Sequence, residues 1–526
     1  MKQLILLVFS ATLLSASAQT PTWADDVACI LYSHCTNCHN DNGVAPFSLM
    51  TYSDADYYAQ DIQVATQSGY MPPWPPDPEY NSLAHERVLS EDEKAILEAW
   101  WLGGSQQGNL ANAPTPPVYS NSNIVITDPD ISVRMEDYTL GTMTDDEYRC
   151  FVMQPNTTQE TWITGIEVLP GNSAIVHHVL VYQDTSNEAI LADLADPDPG
   201  YTCFGGVGSI AAKLVALWVP GSDVYFTPPG MGLKLPAGAN LVMQVHYPYG
   251  SDGQLDSTRV NFLTTTTPQR NLAIDPILEH FSSITNGPLI IPPDQIVTFH
   301  EEFQIPWPVT ITAVGPHAHL LGKRMWSYAV TPSNDTIQLI DIPNWDFHWQ
   351  GLYEFRQPII LPLGTVLHGY ATYDNTAANP ENPNDPPAWV FLGEATTDEM
   401  MLFFFAWTIS NVGDEDIVID TALHSAHHLD CETNFNVGID ESLSTLQELT
   451  IWPRPANDKI IVRTPWQGKS TLTLFDTRGK STSIINISSG EQHVQLDRNL
   501  LPAGIYVAEL VSEDGKNRRY GRVVLE

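Results

Sequence analysis

The residues able to do chemistry fall in two stretches of this 526-residue chain. Near the front stands Cys35-Thr-Asn-Cys38-His39, a C-x-x-C-H motif. Two thiols at that spacing can form thioethers with the vinyl groups of a haem, and the histidine that follows binds the iron from one side. A lone C-x-x-C also serves redox exchange or half a zinc site, but no second Cys/His pair lies near enough to complete the latter. The other axial ligand should come from downstream. Gly69-Tyr70-Met71-Pro72-Pro73-Trp74 offers Met71 on a Pro-braced loop, and a thioether there raises the reduction potential. Met71 is favoured, with His85 and His34 as competing candidates. An iron held by His and Met suits electron transfer rather than oxygen chemistry.

Histidines gather again in the middle of the chain. His177-His178 sits within the apolar run Ala-Ile-Val-His-His-Val-Leu-Val-Tyr, His246 within Leu-Val-Met-Gln-Val-His-Tyr, and His317-Ala-His319 is an H-x-H pair. Strand alternation turns the two imidazoles of H-x-H to one face, whereas adjacent His177 and His178 can share a metal only with local distortion. Neutral imidazoles on strands suit copper or zinc, and a thioether neighbour favours copper. Any one of these histidines is readily explained as structural. All three groups in order are not.

At this point the pattern resembles a known family. Val176-His177-His178, Gln244-Val245-His246-Tyr247, His317-Ala318-His319-Leu320-Leu321-Gly322-Lys323 and Gly393…Asp398-Glu399-Met400 resemble the type II copper, ascorbate-dependent monooxygenases. Peptidylglycine α-hydroxylating and dopamine β-monooxygenases belong to that family. The resemblance runs over about residues 125–430 and includes His348-Trp-Gln-Gly-Leu-Tyr353. It implies two jelly-roll-like β-sandwich domains, residues 125–270 and 271–432, facing each other across a solvent-filled cleft. His177, His178 and His246 would hold an electron-transfer copper. His317, His319 and Met400 would hold the catalytic copper, where a small-molecule substrate is hydroxylated at a C–H bond with O₂. The resemblance also implies a Cys150–Cys203 disulfide, but most other family cysteines are missing; Ala371, for instance, stands before Thr372-Tyr373. Cys431 is either unpaired or joined to Cys29. Where the peptide-amidating members clamp a substrate carboxylate with Arg and Tyr, this chain has Gly315 and Phe404. A neutral or cationic small substrate is therefore expected. His424, His427 and His428 are read as structural, since the six-ligand set is complete without them.

These sites need elements to position them. Leu89-Ser90-Glu-Asp-Glu93 opens a helix with a capping box, and apolar residues at 96, 97, 100 and 101 give it a buried stripe. Residues 19–106 thus resemble a small all-α class I cytochrome c domain, and Pro/Ala/Asn-rich residues 107–124 read as a linker. The haem would pass electrons to the first copper, in place of ascorbate or another reductant or redox partner. A secreted, non-catalytic haem and copper protein is the alternative, and a zinc hydrolase lacks a general base near H-x-H.

Residues 1–18 form a secretory signal peptide, and no later run is long enough to span a bilayer, so no transmembrane segment is expected. After a linker at 433–445, residues 446–526 alternate in strand-like runs and contain Trp452-Pro453-Arg454-Pro455 and Leu501-Pro-Ala-Gly-Ile-Tyr-Val. They resemble the β-sandwich sorting domain of type IX secretion, which makes that machinery a partner and places the protein outside the cell or on its surface, via the periplasm. Charge marks the same boundary. The chain carries 23 Lys/Arg against 62 Asp/Glu, a net charge of −39, yet residues 446–526 hold 11 basic and 9 acidic residues. So acidic a protein is a poor ligand for nucleic acid. A hydrophobic content of 43% with 14 Trp, 20 Tyr and 17 Phe excludes wholesale disorder, and 33 Gly with 40 Pro favours β architecture rich in turns.

Overall fold

A computed structural model describes residues 20–419, apart from 42, 44, 118, 120–123, 204, 205, 221 and 223, together with the strands of residues 451–525. The expected signal peptide, His424, His427, His428, Cys431, the 433–445 linker and Pro453-Arg454-Pro455 lie outside the described residues. The chain divides into two compact units, residues 1–435 and 436–526.

The front of the first unit is helical: Ala28–His34, Tyr52–Tyr57, Ala59–Gln67 and Glu91–Leu102. Glu91–Leu102 starts at a complete capping box, in which Ser90 Oγ accepts from the Glu93 amide and the Glu93 carboxylate accepts from the Ser90 amide. Leu97 and Trp100 are buried against Trp23 and Leu31, with Ile96 and Trp101 at the margin of that core. Residues 106–112 and Tyr119 lie against these helices. Gln106 O accepts from Trp23 N (2.8 Å), and Tyr119 OH meets Thr36 Oγ1 at 2.7 Å. Residues 74–87, by contrast, leave the helices and run along the β-sheets. Asp77 N donates to Asp341 O and Ala84 N to Glu354 O, each at 2.8 Å, while Leu83 is buried in a β core.

Mostly antiparallel strands form the rest of this unit. A five-stranded sheet runs in the order Tyr201–Thr202, Glu147–Met153, Asn240–Tyr247, His178–Asp184, Lys213–Trp218. A four-stranded sheet runs Gln295–Gln304, Val366–Asn375, Gly322–Val330, Thr336–Ile342. Between them a nine-stranded sheet is continuous across both expected copper domains. Its joint is Arg270–Glu279, whose first three residues pair parallel with Met231–Leu235 and whose remainder pairs antiparallel with Leu402–Ile409. One apolar core, including Val179, Met243 and Phe262, joins the five-stranded sheet to one half of the long sheet. A second, including Met325, Leu367 and Phe403, joins the four-stranded sheet to the other half. Cys150 and Cys203 form a disulfide. Cys29 is also disulfide-bonded.

The second unit has a three-stranded sheet (Ile451–Trp452, Lys459–Arg463, His493–Asp497) and a four-stranded one (Ser481–Ile487, Ser470–Asp476, Gly504–Ser512, Arg518–Leu525). Val462, Leu472, Leu474, Tyr506 and Leu510 are buried.

Gly369 sets the fit of the second core. A Cβ there would stand 2.8 Å from Phe403 Cε2 and 2.9 Å from Leu278 Cδ1. Gly369→Ala should therefore lower stability by about 1–3 kcal/mol through overpacking, read as a lower urea midpoint; an unchanged midpoint would show that the sheets yield at this contact.

Candidate metal centres

The haem-type motif lies at the end of the first long helix. Cys35 O accepts from both Cys38 N (3.2 Å) and His39 N (2.9 Å), so one helical turn carries all three side chains. Neither Cys35 nor Cys38 is in a disulfide, and burial pushes the Cys35 thiol up to about 12. His39 Nδ1 lies 3.1 Å from Phe47 O. A carbonyl can only accept, so Nδ1 carries the proton and Nε2 keeps the lone pair that an iron needs. The residues fit a covalently held haem.

The competing axial candidates are drawn elsewhere. His34 Nε2 is 3.1 Å from Glu93 Oε1 with both side chains buried, and His85 Nε2 is 3.8 Å from Glu354 on the 74–87 strap. Met71 stands on the turn after Ala59–Gln67, its amide bonded to Ala65 O at 3.0 Å. No hydrogen bond or ring contact among the described residues ties Met71 to His39.

The first imidazole cluster arises from cross-strand register. His246 lies directly opposite His178, while His177 stands just before the strand and donates its amide to His246 O at 2.9 Å. The anticipated distortion is therefore a strand start: His177 is free of the pleat that would turn it away. The His177 and His178 Nδ1 atoms are 3.4 Å apart, and one nitrogen from each of His177, His178 and His246 falls within 4.8 Å of the others. Both His246 ring nitrogens are buried without a hydrogen-bond partner. That is costly unless another group binds there. Asp146 Oδ2 stands 3.3 Å from His246 Nε2, and the Tyr148 ring stacks on the His246 ring with centroids 4.3 Å apart. Burial holds His177 down at about 3 and His178 well below its ordinary range, so both are neutral, as metal ligands must be.

The second cluster starts where Val309–His317 ends. His317 and His319 rings lie 5.1 Å apart. His317 Nδ1 meets Gln350 Oε1 at 2.6 Å and His319 Nδ1 meets Asp398 O at 3.0 Å. Both acceptors leave Nε2 as the metal-binding atom. Glu399 ties the segment down by accepting from His319 N (2.9 Å) and Leu321 N (2.7 Å). Met400, next in the chain, has its carbonyl bonded by Tyr373 OH at 2.6 Å. Burial lowers His317 to about 4 and His319 to about 3.

One side chain touches both clusters. Phe347 stacks on His177 with centroids 4.7 Å apart and meets His319 edge-on at 5.7 Å. Asp146, beside His246, also accepts from Thr396, two residues before the carbonyl that holds His319. A cavity of about 130 Å³ adjoins this region, lined by Trp218, Tyr225, Gln350, Leu352 and Tyr353 together with Trp74 from the strap. Asp146, Gln350 and Phe347 are functional candidates that the sequence did not single out. Only the His-Trp-Gln-Gly motif hinted at Gln350.

Comparisons with known proteins address the far end of the chain. Residues 450–523 match the secretion system C-terminal sorting domain family. The C-terminal domain is a type IX sorting domain. The protein is accordingly exported by that route to the cell surface or the extracellular space, and no helix among the described residues is long and apolar enough to cross a membrane. No curated protein matches the chain. Among solved structures, a β-glucuronidase from Ruminococcus gnavus is 8% identical over 50% of this chain and 39% of its own, with a TM-score of 0.12. This chain thus spans under half the length of that enzyme. A biofilm-associated protein BSP domain is 8% identical over 75% of this chain and 81% of its own, with a TM-score of 0.15. Likeness at that level carries no argument about fold or function.

Glu93 makes the stability of the helical region depend on pH. Burial would raise its carboxyl, but hydrogen bonds from His34 and Ser90 bring it down from 4.5 to about 2. A lowered carboxyl contributes stability that is complete above its unfolded value and lost as pH falls through the folded one. Unfolding followed by Trp fluorescence should show stability falling from pH 4.5 toward 2, and Glu93→Gln should flatten that slope. An identical slope in the variant would show that Glu93 is not the titrating group.

Proposed function

We propose that this exported protein is a copper-dependent monooxygenase that hydroxylates a C–H bond of a small neutral substrate with O₂. In this reading its own c-type haem domain supplies the electrons. The observation that carries the reading is that one histidine of each imidazole cluster, from different sandwiches, touches the same side chain, Phe347. His177, His178 and His246 would hold one copper; His317, His319 and Met400 would hold the other. Copper in such sites cycles between Cu(II) and Cu(I), and a thioether ligand favours the reduced ion that meets O₂.

The remaining work falls to the chain's own residues. Gln350 and the Asp398 carbonyl fix the tautomers of His317 and His319. Phe347 would pack against a ligand of each copper, His177 and His319. Cys35 and Cys38 would bind the haem covalently, with His39 Nε2 and Met71 as axial ligands. The 74–87 strap links the haem domain to the cavity wall, where Trp74 packs edge-on against Tyr353 with centroids 5.4 Å apart.

Substrate class follows from the missing clamp. Gly315 and Phe404 are cross-strand partners, and a Cβ on Gly315 would lie 3.4 Å from Leu352 Cδ1. Neither position offers a charge-assisted hydrogen bond to a carboxylate. The cavity is walled mainly by aromatic and aliphatic side chains but also by His85, Arg87 and Glu354, so it suits a small, mostly apolar molecule that carries a polar group.

The test uses protein matured with haem and dialysed against copper. His246→Ala and His317→Ala should each bind one copper fewer than the parent by elemental analysis while iron stays at one per chain, and each should abolish substrate-dependent O₂ consumption. Copper counts unchanged by both substitutions would sink the reading. Copper lost without any O₂ consumption in the parent would favour a non-catalytic electron carrier. Gln350→Ala should weaken copper binding at the His317/His319 site by about 10–100-fold through loss of the orienting hydrogen bond, measured by competition with a Cu(I) chelator.

A further inference from the structure

A third cluster lies on the outer face of the four-stranded sheet, and the proposed chemistry makes no use of it. His300 and Glu302 are two apart on the edge strand Gln295–Gln304, so they share a face, and Glu302 lies directly opposite His368 of Val366–Asn375. The buried residues Phe299 and Glu301 point to the other face. His300 Nε2 is 3.1 Å from His368 Nδ1, and Glu302 Oε1 is 3.7 Å from the first and 3.5 Å from the second. Zinc–nitrogen and zinc–oxygen bonds of about 2.0–2.2 Å at tetrahedral angles put donor atoms roughly 3.3–3.6 Å apart. The three donor separations, 3.1, 3.5 and 3.7 Å, bracket that spacing.

The groups around the cluster hold its rings in place. Thr285 Oγ1 donates to His300 O at 3.0 Å, which uses its one proton, so the 2.9 Å contact with His300 Nδ1 is one that the hydroxyl accepts. Nδ1 therefore carries the His300 proton, and Nε2 presents its lone pair to the cluster. The segment bearing Thr285 is pinned in turn: Thr285 N donates to His300 O at 2.8 Å, and Asn286 Oδ1 accepts from His300 N at 2.8 Å. Tyr370 stacks on His300 with centroids 4.3 Å apart, and Tyr328 stacks on His368 at 4.8 Å. Burial outweighs the pull of Glu302 on both imidazoles and lowers them from their ordinary value, so they are neutral near pH 7.

We propose that His300, Glu302 and His368 form a separate metal site that takes a borderline divalent transition ion of the Zn²⁺ or Cu²⁺ type. Two imidazoles and a carboxylate supply three ligands, and the solvent-facing side leaves the remaining position to water. A bound ion would cross-link the edge strand to its neighbour. This site shares no residue with the proposed copper centres, so it stands or falls independently of them.

The test is equilibrium dialysis of the full-length, haem-matured, metal-stripped protein against Zn²⁺, counted by elemental analysis. The parent should bind one more zinc per chain than the His300→Asn/His368→Asn variant, and Glu302→Gln should weaken that extra site about 10-fold or more. The double variant should lose no copper from the other clusters, which separates this outcome from failure of the monooxygenase reading. Equal zinc in parent and double variant would overturn the proposal and leave a hydrogen-bonded His–His–Glu group. Should the double variant misfold, the single exposed Glu302→Gln change decides: unchanged zinc affinity overturns the proposal too.

Discussion

The attachment of one short segment, Gly393–Met400, is the constraint on which the central region depends. The Glu399 carboxylate takes two main-chain amides, from His319 and Leu321, in a fully buried setting. Burial pushes this carboxyl up to about 8, so it is the pair of amide bonds in a dry setting, rather than charge, that fixes its position. From this anchor the Asp398 carbonyl orients His319, and Thr396 and Glu394 O reach the other sandwich, at Asp146 and Tyr148 OH. The residues they touch flank His246. A single segment therefore sets both the direction of one imidazole and the distance between two clusters, and Phe347 touches a histidine of each. The nine-stranded sheet works to the same end, because the shared strand Arg270–Glu279 restrains one sandwich from swinging against the other.

One device recurs at the histidines. His39, His317 and His319 each give Nδ1–H to an oxygen, from Phe47, Gln350 and Asp398 respectively. Each bond selects the tautomer with a free Nε2 and fixes the ring plane. His177, His178 and His246 form a different kind of group, with nitrogens crowded together and the His246 ring left unbonded in the interior. A buried imidazole with no hydrogen-bond partner, set beside two part-buried ones and the Asp146 carboxylate, is hard to account for by packing alone. The contrast between the clusters parallels the different tasks proposed for them.

Export gives the cysteines their context. Cys150 and Cys203 are oxidised, as an exported chain allows, while Cys35 and Cys38 remain outside any disulfide. The charge contrast between the acidic bulk of the chain and its near-neutral last 80 or so residues coincides with the boundary of the sorting domain.

Local chemistry was readable from the chain alone. The Ser90–Glu93 capping box, the Leu97/Trp100 stripe, the C-x-x-C-H motif and the terminal sorting module each depend on residues within a turn or two of one another, or on a compact motif, whereas the H-x-H pair, expected on one strand face, has His317 in the strand and His319 beyond its end. Tertiary structure decided what those groups meet. Gln350 reaches His317 across 33 positions, and Asp398 reaches His319 across 79. Phe347 touches a histidine of each cluster, a meeting the sequence did not foresee. Residues 74–87, assigned by sequence to a self-contained helical domain, lie along the β-sheets because Leu83 is buried in their core. The His300–Glu302–His368 group went unnoticed because it exists only in one strand register, and a slip of one residue would turn His368 to the other face. Periodicity and caps are set by neighbours in sequence, whereas register and sheet order are set by how whole faces bury together.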